Sequence, residues 1–355
     1  MPSFHLAELK EIGTRILEAA GVSADDADVI ATELADANLV GHDSHGIIRL
    51  MQYVQYIDQG HIKPGSPFEV VKEVPSFAIV DGHFHFGQVT ATKALNLGLE
   101  KARETGTATV VIRNCNHIGR LGSYSQKAAQ QGFGAMMFVN APGPGGVAPY
   151  GGIDRRLGTN PISMAAPRGD EPLVLDMTSS ATAEGKVRVA LQKGEQVSEG
   201  WIIDHAGNPS TNPADLYADE NGDNEGAILP LGGNLGFKGY GLSVMIDFFA
   251  GMLSGSGVCR TDVPRGANGV WLYLADLSQF VEQGEYDALI EKYAGYMKSS
   301  RRVPGTDEIL LPGEIELRRR KQREADGVDV ADETWRQLNE LAEGLGTSLA
   351  EIKQA

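Results

Sequence analysis

Cysteine is nearly absent: Cys115 and Cys259 are the only two in 355 residues, far apart and in no C-x-x-C pattern. That excludes a disulfide framework and argues against a cysteine-ligated zinc site, so a reducing compartment is expected. Basic residues are outnumbered, 31 against 47 acidic, for a formal net charge of −16. A nucleic-acid binder needs a basic face, and that class is set aside. An anionic small molecule stays open, because one Arg or a helix terminus can dominate the field inside a cleft. No stretch approaches ~20 uninterrupted apolar residues, so no membrane span is expected. The opening Met1-Pro-Ser-Phe-His-Leu-Ala-Glu-Leu-Lys10 has no apolar h-region of a signal peptide. The expectation is a cytoplasmic chain with no membrane or nucleic-acid partner. Two nucleotide fingerprints also fail. Gly143-Pro-Gly-Gly-Val-Ala148 spells G-x-G-x-x-A after a strand, but Pro149-Tyr-Gly-Gly follows where that motif needs a helix N-terminus for pyrophosphate. No G-x-x-x-x-G-K-[S/T] occurs, since Gly185-Lys186 is followed by Val187. A nucleotide, if bound, is bound unconventionally.

What is present is ordinary folded composition, 42% hydrophobic and 22% charged, at a length that predicts two domains. Residues 4–60 read as helices, with Ser23 before Ala-Asp-Asp as a helix start. After Pro64 the pattern changes. Phe77–Val80 reads as a strand, Gln88–Arg103 as a helix, Thr107–Ile112 as a buried parallel strand, Ser123–Gln131 as a helix and Gly134–Val139 as a strand. Strand, helix, strand in that order predicts a right-handed βαβ unit. Short strands follow at Ile162–Ala165 and Leu173–Leu175, helices at Ser180–Gln192 and Lys238–Leu253, and a strand at Trp271–Leu274. Beyond Phe280 the chain is helical and charged. Helical ends flanking an α/β centre predict a small domain assembled from both termini.

Chemistry concentrates in a few places. In Gly41-His-Asp-Ser-His-Gly-Ile-Ile-Arg49 the residues from Ile47 onward fit an amphipathic helix, with Ser44 as N-cap. His45, Arg49 and Tyr53 then fall at i, i+4 and i+8, one polar stripe rising from a helix N-terminus that favours an anion. Arg49 could grip a carboxylate with two parallel hydrogen bonds, which Lys cannot reproduce; the alternative is a solvated surface stripe. His117, in Asn114-Cys-Asn-His-Ile-Gly-Arg-Leu-Gly122, follows the most apolar strand, where parallel sheets bind ligands and a His can serve as general acid or base. It could equally satisfy loop carbonyls. His42 with His45 could suggest a metal, but no third ligand stands at a recognisable spacing, and His83 and His85 in a turn should point apart. Leu157-Gly-Thr-Asn-Pro161 and Leu175-Asp-Met-Thr-Ser-Ser180 are polar turns after apolar runs, and Lys238 starts a Gly-rich helix where it could reach an anion.

Taken together these segments are specific. Gly41–Gly46 with Arg49, Asn116-His-Ile-Gly119, Gly158-Thr-Asn-Pro161, Leu175-Asp176, Gly185-Lys186, Lys238-Gly-Tyr-Gly241 and Leu311-Pro-Gly-Glu314 recur in this order in one family. The sequence resembles the malate/L-lactate dehydrogenase family that lacks the Rossmann fold, also called sulfolactate-dehydrogenase-like. Its wording is most similar to the hydroxycarboxylate dehydrogenase B branch. Over nearly the whole chain, the resemblance implies a non-Rossmann three-layer α/β/α core with a smaller helical domain built from both chain ends. The expected division is 1–72 and 276–355 for the helical domain and 73–275 for the NAD(P)-binding α/β domain. It also implies a homodimer and a nicotinamide cofactor, NAD or NADP, in a cleft between domains.

Carried over by position, His117 falls on the family's acid/base, and Ser44, His45, Arg49 and Tyr53 on the substrate and nicotinamide stripe. Gly119, Arg120, Leu121, Asp176, Met177, Thr178, Ser179, Lys238, Gly313, Glu314, Ile315 and Glu316 fall on cofactor-contacting positions, and Pro149, Thr159 and Asn160 on the loop near the nicotinamide. No metal is implied. Phe237 departs from the branch, which has His there, and the acidic loop 218–226 has no place in the pattern. The expected reaction moves a hydride between nicotinamide and C2 of a 2-hydroxy or 2-oxo acid. A cyclic imine 2-carboxylate reductase and a ureidoglycolate-type dehydrogenase are rivals within the class. A metallohydrolase using His42, His45 and His117, and a non-catalytic cofactor binder, are rivals outside it. For a 2′-phosphate, Arg120 or the run Arg318-Arg-Arg-Lys321 are the available cations, the run reading more simply as a solvated helix face.

Overall fold

The computed structural model describes residues 1–219, 221–260 and 267–354, so Glu220 of the acidic loop lies outside the described residues. The chain opens with strand β1 (Ser3–Phe4) and helices α1 (Leu6–Ala19), α2 (Ala24–Leu39) and α3 (Arg49–Asp58). Ser23 caps α2 as expected, accepting from the Asp26 N–H at 3.3 Å, with Asp25 and Asp26 in the first turn of the helix dipole. Then come β2 (Glu69–Val74), β3 (Phe77–Asp81), α4 (Gly87–Thr105), β4 (Thr107–Cys115), α5 (Leu121–Ala129), β5 (Phe133–Asn140), β6 (Pro161–Ala166) and β7 (Leu173–Thr178). Helix α6 (Glu184–Lys193) begins four residues later than its pattern predicts. Short strands β8 (Ile202–Ile203), β9 (Pro209–Ser210) and β10 (Ala227–Ile228) lead to α7 (Phe237–Ile246), which continues into a π-helical turn at Asp247–Met252. Strand β11 (Asn268–Asp276), α8 (Gln283–Lys298), α9 (Glu314–Asp326), β12 (Val328–Asp329) and α10 (Asp332–Gly344) complete the chain.

Seven strands form one sheet in the order β2-β3-β4-β11-β5-β6-β7. Among the described residues β3 and β4 are its one parallel pair. The βαβ expectation for β4-α5-β5 is therefore corrected: β11 lies between those strands, antiparallel to both. The two N–H and C=O edges that a direct β4–β5 pairing would have satisfied are met by nine residues from far along the chain. The adjacent βαβ unit is β3-α4-β4.

Helices cover both faces. On one, Ala91, Leu95 and Leu99 of α4 and Leu121, Tyr124 and Ala128 of α5 bury Val80, Val110, Ile112, Met137 and Leu272. On the other, Ile246 and Ala250 of α7 and its π turn pack on Phe138 and Ile162, with Phe249 and Trp271 at the margin. These are the three layers. The helical body draws on both chain ends: Phe4, Leu9, Ile16 and Leu34 share a core with Val328, Leu338, Leu349 and Ile352, and β1 pairs with β12. A further small cluster carries Val187, Val197, Ile202, Leu216 and Ile228 around the three-stranded sheet β10-β8-β9, which the sequence pattern did not disclose.

Candidate active site

The loop after β4 is pinned from several sides. Asn114, in the left-handed region at φ 50°, donates to the Asp81 carboxylate at 3.0 Å. Asn116 Nδ2 donates to the carbonyls of His61, Phe84 and His85 at 3.0, 2.7 and 3.2 Å. Helix α4 starts against the same loop at Gly87, where a Cβ would lie 2.2 Å from the Asn116 carbonyl oxygen and 2.4 Å from that of His117. Only glycine lets the helix approach this closely. His117 is thereby held at the end of the most apolar strand.

The Ser44–Tyr53 segment folds differently from its pattern. Asp43–His45 form a 3₁₀ turn, and α3 begins at Arg49 with Ile48 as its cap position. Ser44 is not the N-cap. The reason is Asn38, whose Oδ1 accepts the Ile47 N–H at 2.9 Å and whose Nδ2 donates to Asp43 at 2.9 Å. Gly46 lies so close that a Cβ there would sit 2.1 Å from Asn38 Oδ1. The asparagine takes the N–H that an earlier helix start would have used. His45 therefore stands off the helix, ahead of Arg49, and the predicted continuous stripe is broken.

The side chains nevertheless converge. Tyr53, 1% exposed, places its hydroxyl 2.7 Å from His117 Nδ1, and Gln88 Nε2 donates to the same oxygen at 2.7 Å. The His45 and His117 rings stack at 5.4 Å with an 18° tilt. Ser44 Oγ meets His45 Nδ1 at 3.1 Å. Arg49 turns its Nε to the Ser44 carbonyl at 2.6 Å and Nη1 to Gln52 at 2.8 Å. Burial, then the nearby cations Arg49, His42 and Arg120, push the His45 pKa down to about 3, so this imidazole is neutral through the physiological range. Burial outweighs the Arg49 charge and the Gln88 hydrogen bond at Tyr53, raising its pKa to about 12. Ser44, His45, Arg49, Tyr53 and His117 thus form one constellation.

Helix α9 clasps the loop that carries it. Arg323 forks onto Asp43 at 2.7 and 3.0 Å and reaches the Asn38 carbonyl, Arg320 pairs with Asp36, and Arg319 donates to the Gly41 carbonyl at 3.4 Å. Glu316 meets His42 at 3.5 Å, and that hydrogen bond holds the Glu316 pKa below its usual range. Arg318 pairs with Glu308 and Lys321 with Glu171. Arg318, Arg319 and Lys321 are nonetheless exposed, so the basic run is largely the solvated helix face its sequence suggests, with its charges paired. Arg120 is also engaged: its side chain, 2% exposed, lies 3.5 Å from Asp36 and 3.7 Å from Asp176, leaving no open face for a 2′-phosphate.

The remaining predicted positions fall into neighbouring groups. Asp176 Oδ2 accepts the Gly122 N–H at 2.7 Å, capping α5 behind Gly119, Arg120 and Leu121. Met177 faces the opposite side of the sheet, against the α7 layer. Thr178 Oγ1 donates to the Ser180 carbonyl at 3.1 Å, and Ser179 gives both its N–H and hydroxyl to the Thr159 carbonyl. Asn160 donates to Ser243 of α7 at 3.1 Å, and its Oδ1 is buried without a hydrogen-bond partner. Pro149 accepts from the Gly152 N–H in a loop with no helix, as its sequence predicts. Lys238 is exposed at the start of α7. Gly313, at φ 92°, packs on Val174 while Glu314 binds Lys298 at 2.5 Å and the Leu311 N–H at 2.9 Å; Ile315 is exposed. His83 turns outward to Glu69 and His85 inward to Asp26. Among the described residues no three His, Cys, Asp or Glu side chains converge as metal ligands would. Sequence reasoning missed Gln88, which reads only as one more polar residue in a helix, and the α9 clasp, whose partners lie nearly three hundred residues away.

The chain has known relatives. The description of the malate/L-lactate dehydrogenase family matches residues 4–339. A malate dehydrogenase of Pyrococcus horikoshii is 37% identical over 94% of this chain and 92% of its own length. Curated relatives also include hydroxycarboxylate dehydrogenase B of Escherichia coli. The solved sulfolactate dehydrogenase of Methanocaldococcus jannaschii superposes with a TM-score of 0.88 at 33% identity, covering 99% of both chains. The Δ1-piperideine-2-carboxylate reductase of Pseudomonas syringae gives 0.81 at 29% identity, over 96% of this chain and all of that one. With the family matched from the first helix to the last and the sheet shared, the chain belongs to the malate/L-lactate dehydrogenase family and is an oxidoreductase.

Proposed function

We propose that the protein is an NAD(P)-dependent dehydrogenase of 2-hydroxy acids, with the Ser44–Tyr53 segment and His117 forming its reaction centre. The observation that carries the reading is the convergence of an imidazole, a phenol and a guanidinium from distant parts of the chain around one stacked pair of rings.

The residues present suit a dinucleotide. The cap position of α7, Gly236, offers no side chain to the helix's first N–H groups, and Lys238 beside them has no hydrogen bond or ion pair among the described residues. A phosphate would find a cation and free amides there. Asp176 uses only Oδ2 on Gly122, leaving an oxygen for a ribose hydroxyl, and the orphaned Asn160 Oδ1 is an acceptor suited to a carboxamide. When bound, the nicotinamide supplies or accepts the hydride at C2 of the substrate.

The chain's own residues do the rest. Arg49 holds the substrate carboxylate through the guanidinium edge not spent on Ser44 and Gln52, fixing C2 in place. His117 moves a proton at the C2 oxygen through Nε2, because Tyr53 engages Nδ1. His45, kept neutral, stacks on that ring and orients it without adding a competing charge. A second copy of the chain completes the unit as a homodimer. Supporting that is the row of exposed apolar side chains Phe237, Val244, Met245, Phe248 and Met252 along α7 and its π turn, the kind of contiguous apolar surface that marks an interface. The similarity to a piperideine carboxylate reductase favours one second reading, a cyclic imine 2-carboxylate substrate, which offers Arg49 the same handle.

A screen of 2-oxo acids and cyclic imines with NADH and NADPH, followed by the absorbance of the reduced nicotinamide, tests both readings. His117→Ala should cut turnover of the preferred substrate in both directions by about 10²–10⁴. Wild-type turnover in that variant would remove His117 from the mechanism.

A further inference from the structure

Among the described residues Gln88 makes no hydrogen bond to Ser44, His45 or Arg49, and nothing in the reaction assigned above uses it. It is nonetheless fully buried, at the second residue of α4, with Nε2 donating to the Tyr53 hydroxyl and Oε1 buried without a partner. The position is tightly made. Gly87 before it seats α4 on the His117 carbonyl, and a Cβ at Gly119, whose φ is 78°, would lie 3.6 Å from Gln88 Nε2.

A phenol oxygen has one proton to give. With the Gln88 amide donating to it, that proton needs an acceptor, and among the described residues His117 Nδ1 at 2.7 Å is the group in reach. Were Nδ1 to carry a hydrogen instead, two donors would face the oxygen and the phenol proton would be left buried and unmet. The amide end that faces Tyr53 therefore decides which nitrogen of His117 carries the proton. An N–H facing Tyr53 sets the Nε2–H form of neutral His117, a hydrogen-bond donor to the carbonyl oxygen of a 2-oxo acid; the proton given in reduction comes from the imidazolium, whose Nδ1–H faces Tyr53 and so requires the reversed amide. A reversed amide presents Oε1, takes the phenol proton, and lets Nδ1–H donate to Tyr53; Nε2 is then the acceptor that a 2-hydroxy acid requires.

We propose that Gln88 is a positioning residue that sets the tautomer of His117 through Tyr53, and that reversal of its amide switches Nε2 of the neutral ring between hydrogen-bond donor and acceptor. The role rests on His117 being the acid/base, but the relay is measurable without turnover. Its second observation is the unpartnered Oε1: among the described residues no hydrogen bond other than that to Tyr53 fixes which end of the amide faces the phenol.

The test is ¹⁵N NMR of the imidazole nitrogens in the full-length protein without substrate, at a pH where His117 is neutral, with His117→Gln used to assign its signals. The wild type should show the Nε2–H form. Gln88→Glu, measured at a pH where the new carboxylate is ionised and can only accept, should convert His117 to the Nδ1–H form. Gln88→Met, which removes the amide while keeping the bulk, should leave Nε2–H, since Nδ1 is then the phenol's remaining acceptor. In the Tyr53→Phe background the Gln and Glu forms at position 88 should give the same His117 signals. A wild type in the Nδ1–H form, an unchanged tautomer in Gln88→Glu, or a Gln-to-Glu difference that survives Tyr53→Phe would each overturn the relay. Should Gln88→Glu not fold, the wild-type and Gln88→Met spectra still decide it, because a shift to Nδ1–H in Gln88→Met contradicts the same chain of donors. A normal relay with an undiminished His117→Ala enzyme would instead sink the acid/base assignment and leave the relay standing.

Discussion

Arg49→Lys is the sharpest perturbation of the proposed carboxylate site, because the structure divides the guanidinium's donors between two tasks. Nε is spent on the Ser44 carbonyl at 2.6 Å and one Nη1 donor on Gln52 at 2.8 Å, which leaves the second Nη1 donor and both on Nη2 for a ligand. A lysine at position 49 keeps the charge, so the electrostatic contribution to the depressed His45 pKa is largely retained. It offers three donors from one point, however, and cannot hold Ser44 and grip both oxygens of a carboxylate together. At least one charge-assisted hydrogen bond is lost, about 1.5–3 kcal/mol, which predicts a fall of about 10- to 150-fold in kcat/KM. The loss should appear mainly in KM if the clamp binds ground and transition states alike, and in kcat as well if it aligns C2. The assay compares wild type and variant on a 2-oxo acid and on its uncharged amide, by consumption of reduced nicotinamide. The amide should be a poor substrate for both, with little difference between them. Equal kcat/KM on the acid, or an equal penalty on acid and amide, refutes the clamp.

Three further outcomes are expected. Lys238→Met should weaken binding of the nicotinamide cofactor by about tenfold or more while leaving the 2-oxo acid KM nearly unchanged, as for loss of one charged hydrogen bond; fluorescence titration with the reduced cofactor reads this directly, and unchanged affinity would move the phosphate elsewhere. Gly87→Ala should lower stability by about 1–3 kcal/mol in chemical denaturation and disturb turnover too, because the added carbon meets two backbone carbonyls that cannot rotate away. Stability should decline as pH drops below about 6.5, the ordinary His value, since the unfolded chain then binds a proton at His45 that the folded chain refuses until about pH 3. His45→Asn should flatten part of that acid limb; an identical limb in both proteins would assign it to other groups.

Much of the site was readable in one dimension because its parts lie in short polar segments set against apolar runs. His117 stands out beside the most apolar strand, and Arg49 beside the pattern of α3. The rest depended on partners distant along the chain. Ser44 reads as a helix cap until Asn38 claims the Ile47 N–H. Arg120 reads as an available cation until Asp36 and Asp176 close on it. The βαβ reading of β4-α5-β5 fails because sequence order carries no record of a strand inserted from elsewhere.

The sequence by itself determined most of the long helices and strands, the absence of a classical phosphate loop, and the segments where polar chemistry could gather, since periodicity and turn residues are local properties. Only the tertiary structure decided which of those groups meet, which charges are already spent, and that an unremarked glutamine stands behind the phenol that touches His117. Hydrogen bonding and ion pairing depend on ångström-scale distances between chain-distant atoms, and no spacing along the polypeptide encodes those.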